Sequence, residues 1–523
     1  MSVRSKPKWE REAPAELERD GQDLPEGWVR VALRELTVPT RPRSDPQKSL
    51  DLRYVGMEQI ESNSRRLLGT CSAWEMKSTA FHFQLGDVLY GRLRPYLNKV
   101  WRAEFEGLCS SEFIVLPPNG TFDPIYLACF LSSDEFVQFA NHLNQGDRPR
   151  VSFDQIGVYD IPLPPLAEQR RIVAQLEALL GRVSRAKARL DRVPALLKRF
   201  RQSALAAACS GKLTADWREE NPDTEAAAAS LAACAASVDQ KAIRHLVRRG
   251  TDGLPPVEPP EVPETWVTLT VRQLVETGAI VDFQDGNHGS LYPRSAEFGE
   301  VGVKFLTAQQ VFDNRVLLDK TPLLNAEKAK LLRIGFAKPR DVLLTHNATV
   351  GRVAILPGYD GDVILGTSVT YYRTNATALL PEFLCYEMQG QYWQDQLRSV
   401  MEQTTRDQVS VTKQVEFRIM VPPLSEQQEI VRRVEKLFAF ADQIEARLRQ
   451  AQAHVDKLTQ SILAKAFRGE LVPTEAELAR RERRDYEPAS NLLERIRIGG
   501  THEKKIRSKK HNQKNAEVGG SRE

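Results

Sequence analysis

Two stretches of this chain put hydrogen-bonding side chains next to apolar runs, and their chemistry suits contact with a nucleic acid. Arg92, Arg94 and Asn98 cluster after a predicted strand, and Arg148 and Arg150 occupy a loop just before Val151-Ser152. Further on, Thr345 to Arg352 reads as a polar turn between two apolar strands, offering His346, Asn347, Thr349 and Arg352. Gln309, Gln310, Arg406 and Lys413 are further candidates. Arginine, asparagine and glutamine on rigid elements can bond base edges, while other basic groups meet phosphates. Arg148 and Arg406 occupy matched positions in two similar halves of the chain. A common role, such as a phosphate contact or a domain anchor, fits them better than base reading, because repeated residues cannot tell two different targets apart.

Catalytic chemistry finds little footing. There is no GxxxxGK[ST] phosphate loop, so ATP-driven work is not expected of this chain. The 8 histidines show no metal-ligand spacing, and the 6 cysteines are scattered with no CxxC pair, so they read as reduced core or incidental residues. Neither a catalytic nor a metal site is expected.

The elements that must position the candidate residues come in two copies. Ile161–Leu213 and Ile419–Leu471 align without a gap, and 21 of their 53 positions are identical. Each copy opens with Pro-Pro-Leu, a small residue and Glu-Gln: Pro164, Pro165, Glu168 and Gln169 in the first, Pro422, Pro423, Glu426 and Gln427 in the second. Proline before a helix and an acid in its first turn are start signals, and Ser425 is a candidate N-cap. Beyond them apolar residues recur in steps of four and three. They run Ile172, Leu176, Leu179, Val183, Ala186, Leu190, Val193, Leu197, Phe200 and Ala204, and then Ile430, Val434, Leu437, Ala441, Ile444, Leu448, Ala451, Val455, Leu458 and Ile462. That is an a/d heptad stripe over about five heptads in each copy. Gly211 and Gly469 are expected to end the helices in a left-handed conformation. Pro194 interrupts the first copy and predicts a kink or break near Val193. The stripes would bury most simply against each other in an antiparallel pair. A parallel pair, or pairing with a second chain, is also compatible with the pattern.

The segments before each helix also match at intervals. Leu24-Pro25-Glu26-Gly27-Trp28 resembles Val262-Pro263-Glu264-Thr265-Trp266, and Gly86-Asp87-Val88-Leu89 resembles Arg340-Asp341-Val342-Leu343. Runs 112–116, 341–345, 353–356 and 368–372 read as strands, and 124–143 and 381–401 as helical stretches. Each segment is therefore a mixed α/β or α+β domain of ordinary size. The pattern is that of a repeated scaffold with a diverged surface.

Two divergent domains, each followed by a Pro-Pro-Leu-x-Glu-Gln helix ending near Gly-x-Leu, resemble the specificity subunit of Type I restriction–modification systems. Gly211-Lys-Leu-Thr-Ala-Asp-Trp-Arg218 also resembles the family's central region. The resemblance spans about residues 24–475. It implies two target recognition domains, each reading one half of a bipartite double-stranded DNA site. It further implies that the paired helices set the spacer and dock two modification subunits. Those partners would bind S-adenosylmethionine and methylate adenine, and restriction subunits using ATP and Mg2+ would complete the complex. On this reading the layout is an N-terminal extension (1–23), a first recognition domain (24–165) and a central helical region (166–222). An Ala-rich segment with a Pro/Glu linker (223–261), a second recognition domain (262–423), a distal helical region (424–475) and a basic tail (476–523) expected to be disordered follow. The Pro-Pro-Leu-x-Glu-Gln junctions named above are the expected partner-docking residues, along with exposed helix faces.

A methyltransferase of this type would need Asn/Asp-Pro-Pro-Tyr/Phe, which Leu-Pro-Pro-Leu (163–166) and Val-Pro-Pro-Leu (421–424) do not supply. A non-catalytic subunit is thus expected. A formal net charge of +4 decides no partner, but residues 168–220 hold 12 Lys/Arg against 6 Asp/Glu, so the first helix is the more basic. With no apolar run near the ~20 residues of a membrane span and no signal-like N-terminus, a cytoplasmic location is expected. A coiled-coil scaffold carrying protein-binding domains remains the alternative, as does a specificity subunit that is an orphan or serves methylation alone.

Overall fold

The heptad repeats fold into the long helices that their periodicity predicts. In a computed structural model, residues 24–495 are described except 41–42, 49–50, 144–145, 237, 239–256, 313 and 403–406. The N-terminal extension, part of the Ala-rich linker, residues 496–523 of the basic tail and Arg406 lie outside the described residues. The tail's first part, 476–495, is ordered where disorder was expected, with the helix Glu475–Glu482 and buried Ala489 and Leu492. The second copy is one helix, Leu424–Phe467, whereas the first divides into Leu166–Leu190 and Val193–Cys209. The break falls at Asp191-Arg192, beside Pro194. Proline has no N–H to offer the carbonyl four residues back, and its ring crowds that carbonyl, so it is accommodated only in the first turn of a new helix. Gly211 (φ 72°) and Gly469 (φ 76°) take the left-handed conformation expected of them. Ser425 is not an N-cap: the helix already begins at Leu424.

The chain divides into two compact units, residues 1–191 with 450–523, and residues 192–449. Within each, two helices run antiparallel. In the first unit Lys187 bonds Asp456 at 3.0 Å and Gln452 bonds Asp191 at 3.3 Å. In the second, Arg201 bonds Asp442 at 2.6 Å, and Arg433 bonds Asp216 at 2.6 Å. Higher numbers on one helix meet lower numbers on the other in both cases. Of the stripe, Ile172, Leu176, Leu197, Ala204, Ile430, Val434, Ala441, Leu448 and Ile462 are buried, whereas Ala186 and Leu458 are exposed.

Each unit sets one small sheet between two apolar cores. In the first unit the strand order is Val100–Arg102, Val88–Gly91, Phe113–Leu116. Alternation sends Val88 and Tyr90 to a core shared with the helices Pro124–Leu131 and Asp134–His142 and the roots of the long helices. It sends Leu89 to a second core facing a five-stranded sheet, in which Arg53–Val55 runs parallel to Gly107–Ser110. The second unit repeats this. Val342 and Leu344 face the helical core, Leu343 faces the other, and Val303–Leu306 runs parallel to Val363–Leu365. The helical stretches expected at 124–143 and 381–401 are each two helices, broken at Ser132-Ser133 and at Gly390.

The first strand of each unit closes on the strand just before its long helix. Val29–Ala32 pairs antiparallel with Asp160–Leu163, and Val267–Thr270 with Arg418–Val421. The architecture is thus mixed α/β, with two recognition-type domains and long helices in an internal repeat.

Candidate nucleic-acid interface

The two candidate turns occupy the same place in the repeated scaffold. Each leaves the central strand of its small sheet and is clamped by two backbone hydrogen bonds to a distant segment. In the first unit Arg94 N–H donates to Pro149 O at 2.7 Å, and Val151 N–H donates to Arg92 O at 3.0 Å. In the second, Ala348 N–H donates to Asp407 O at 2.9 Å, and Val409 N–H donates to His346 O at 2.9 Å. The third node also matches: Arg92 N–H donates to Glu112 O at 2.8 Å, and His346 N–H to Ser368 O at 3.0 Å. Isolated bridges Leu93–Arg150 and Asn347–Gln408 complete the correspondence. The backbone is therefore repeated, while its side chains change from Arg92, Arg94, Glu112 and Arg150 to His346, Ala348, Ser368 and Gln408.

In the first unit Arg92, Glu112 and Arg150 line a cavity of about 410 Å³ together with Arg43, Phe81 and Ser111. Arg150 donates to Glu112 Oε1 at 2.6 Å, and both Arg92 Nε and Glu112 Oε2 are buried with no hydrogen-bond partner. Arg94 and Asn98, both left-handed at φ 52° and 45°, bracket an exposed Tyr96. Non-glycine residues rarely adopt that conformation, so the turn is held by its surroundings. Arg148 is exposed on the clamping segment. Asn98 corrects expectation. It is buried, and its Nδ2 donates to Ser132 O at 2.9 Å, so it braces the turn and does not present itself outward.

The second turn offers fewer outward groups than its sequence promises. Asn347 and Thr349 are half-buried at the turn. His346, however, is 3% exposed, and burial holds its imidazole below the usual range, so it is neutral and points inward. Arg352 is pinned, donating to Val311 O at 3.1 Å with its guanidinium 4.4 Å from the Phe312 ring. That contact brings the turn beside the segment carrying Gln309, which is exposed. Gln310 is buried, and its Oε1 accepts the Thr307 N–H at 3.0 Å, so it is a capping residue and not a reader. Lys413 sits half-buried on the short helix Val411–Gln414 that follows.

The Pro-Pro-Leu-x-Glu-Gln junctions are buried, contrary to their expected role as docking surface. Pro164, Pro165, Pro422 and Pro423 are buried, and Glu168, Gln169, Glu426 and Gln427 are fully so. Gln169 accepts the Asp123 N–H at 2.8 Å and donates to Pro164 O at 2.9 Å. Gln427 accepts the Leu380 N–H at 2.9 Å and donates to Pro422 O at 3.0 Å. Each thus fixes its helix start to its domain's own helical layer. Glu168 accepts Trp28 Nε1–H at 2.9 Å and the Glu475 N–H at 2.8 Å. Glu426 accepts Trp266 Nε1–H at 2.9 Å and Thr214 Oγ–H at 2.7 Å, and pairs with Arg218. The chain leaving each long helix therefore returns to seal the start of the other. Sequence carried a signal for this: tryptophan and glutamate recur in both halves.

Among the described residues no group of three or more His, Cys, Asp or Glu is placed to hold a metal ion, and no helix is long and apolar enough to cross a membrane.

Comparison with known proteins accords with this geometry. The family model described as "Type I restriction modification DNA specificity domain" matches twice, at residues 25–194 and 288–452. The Type I restriction enzyme EcoBI specificity subunit of Escherichia coli is 31% identical over 60% of this chain and 58% of its own length. The chain therefore matches less than two thirds of that relative. The Type I restriction enzyme EcoKI specificity subunit of Escherichia coli (strain K12) is 31% identical over 68% of both chains. The Type I restriction enzyme StySPI specificity subunit of Salmonella potsdam is 31% identical over 68% of this chain and 67% of its own. A solved structure from work on complex assembly and conformational transition of the type I R-M system shares the fold. Its TM-score is 0.64 at 23% identity, covering 86% of this chain and 99% of that one.

Proposed function

This chain belongs to the Type I restriction–modification DNA specificity family, and from that premise we propose that it is the non-catalytic DNA-recognition subunit of a cytoplasmic methyltransferase and restriction complex. Each domain reads one half of a bipartite duplex site, and the helices set the unspecified spacer. Two modification subunits carry S-adenosylmethionine, and restriction subunits use ATP and Mg2+.

The observation that carries this reading is one clamped turn built twice with different side chains. A scaffold that clamps a loop through matched backbone bonds leaves the side chains at those positions free to differ, as recognition of two unlike half-sites requires. The buried junctions cannot be the docking surface, so partner contact falls to exposed helix faces. Mapping N6-methyladenine across host DNA tests the proposal. Two short specified half-sites separated by a fixed unspecified spacer are expected. A scaffold of protein-binding domains would leave no such motif.

A further inference from the structure

The reading above leaves open which chemical groups the first domain recognises, and the cavity beside its clamped turn addresses this. We propose that Arg92 and Arg150 read a guanine in the first half-site through its major-groove edge, with Glu112 as a positioning residue that orients Arg150. The inference rests on the chain being a DNA-recognition subunit.

Three observations support it. First, the cavity of about 410 Å³ has three arginines and one glutamate in its walls, a lining suited to an acceptor-rich ligand edge. Guanine presents O6 and N7 side by side as acceptors, and the arginine fork matches them. Second, the two arginines are anchored, Arg92 at its backbone and Arg150 at its side chain. Arg92 is fixed through both its backbone N–H and carbonyl, and Arg150 is bonded to Glu112 at 2.6 Å. The unpartnered, buried Arg92 Nε shows a guanidinium whose hydrogen bonding the protein does not itself complete. A guanidinium fork held in place can meet the paired O6 and N7 acceptors of guanine with two hydrogen bonds.

Third, the positions differ between the repeats while the backbone does not. At the three equivalent nodes the second unit has His346, Ser368 and Gln408, none with a guanidinium. Residues serving the shared sugar–phosphate backbone have no reason to diverge between halves, and the matched Arg148 and Arg406 do not. Readers of two different half-sites must diverge.

The test uses the whole chain co-expressed with its modification subunits, with methylated sites mapped for wild type, Arg92→Gln, Arg150→Gln, Arg150→Lys and Glu112→Gln. Both glutamine variants, and the lysine variant too, should lose preference for guanine at one position of the first half-site, by roughly ten- to a hundredfold, the second half-site being unchanged. Glu112→Gln, which keeps the side chain's shape, should weaken the same preference without abolishing it. Unchanged half-sites with uniformly weaker methylation in the glutamine variants would mean a phosphate contact and overturn the proposal. The intact second half-site reports that a variant is folded. A wild-type complex that methylates no bipartite site would instead sink the functional reading itself.

Discussion

Trp28 and Glu168, 140 residues apart in sequence, meet with the indole N–H donating to the carboxylate at 2.9 Å, and Trp266 and Glu426 repeat that bond at the same distance. Each pair ties the entry strand of a domain to the helix leaving it. Each carboxylate also receives the segment arriving from the end of the other long helix. One buried acid thus joins three distant stretches of chain.

Glu168→Ala should therefore cost far more than a surface substitution. It strands two buried donors, Trp28 Nε1–H and the Glu475 N–H, and an unsatisfied buried donor costs about 1–3 kcal/mol. Glu426→Ala also removes the ion-pair partner of Arg218, which keeps its bond to Gly211 O, and should cost more than Glu168→Ala. Trp28→Phe, which removes only the donor, should be milder. Denaturant midpoints at unchanged slope are the measurement. An alanine variant as stable as wild type would show that the carboxylate is dispensable.

Stability should fall as pH rises through neutrality, because of Glu387. It is buried in the helix Pro381–Gln389, accepts the Met420 N–H at 3.2 Å, and lies beside the Cys209 thiol. Burial pushes its carboxyl up to about 7. A raised carboxyl pKa favours the folded state while the group is protonated. The contribution is complete below the unfolded value near 4.5 and is lost as pH climbs past about 7, a change of roughly 3 kcal/mol. Melting temperatures from pH 4 to 8 should flatten in Glu387→Gln relative to wild type; parallel curves would assign the slope elsewhere.

Arg148→Ala and Arg406→Ala should weaken DNA binding by the assembled complex without changing the sequence it selects. Each phosphate contact removed lowers the slope of log affinity against log salt by about 1. A changed half-site would make either arginine a base reader.

One heptad added to both helical partners near Lys187 and Asp456 should change the spacer and leave both half-sites as they were. These residues face each other at 3.0 Å, so paired insertion preserves the antiparallel register. Methylation mapping gives the result, and an altered half-site would break the division of labour between helices and domains.

The helices and their ends were legible because a 3.6-residue period and a left-handed glycine act locally. Ile172, Ile430, Gly211 and Gly469 needed no knowledge of the rest of the fold. Pro194 was legible for the same reason. The site was only partly so. Arg92 and Arg150 line one cavity, whereas Asn98, Gln310 and His346 are buried. A polar residue in a turn looks the same in sequence whether it faces solvent or completes a buried hydrogen bond. The contribution of Arg43 and Glu112 rests on strand pairing over long separations, which no local pattern encodes. Glu168 and Glu426 are buried where a docking surface is expected for a related reason: a repeated charge near a helix start looks like surface until its tryptophan partner is placed.

The division of the first unit between residues 1–191 and 450–523 bears on how the protein is made. Residues 192–449 are contiguous, so the second unit has all its chain once Arg449 has left the ribosome. The first unit, although synthesised earlier, must wait. Until Glu475 emerges, Glu168 lacks one of its donors, and until Phe467 emerges the core beside Tyr126 and Phe130 stays open. The half translated first is the half completed last, and a chain that stops short loses the first domain's closure while keeping the second's.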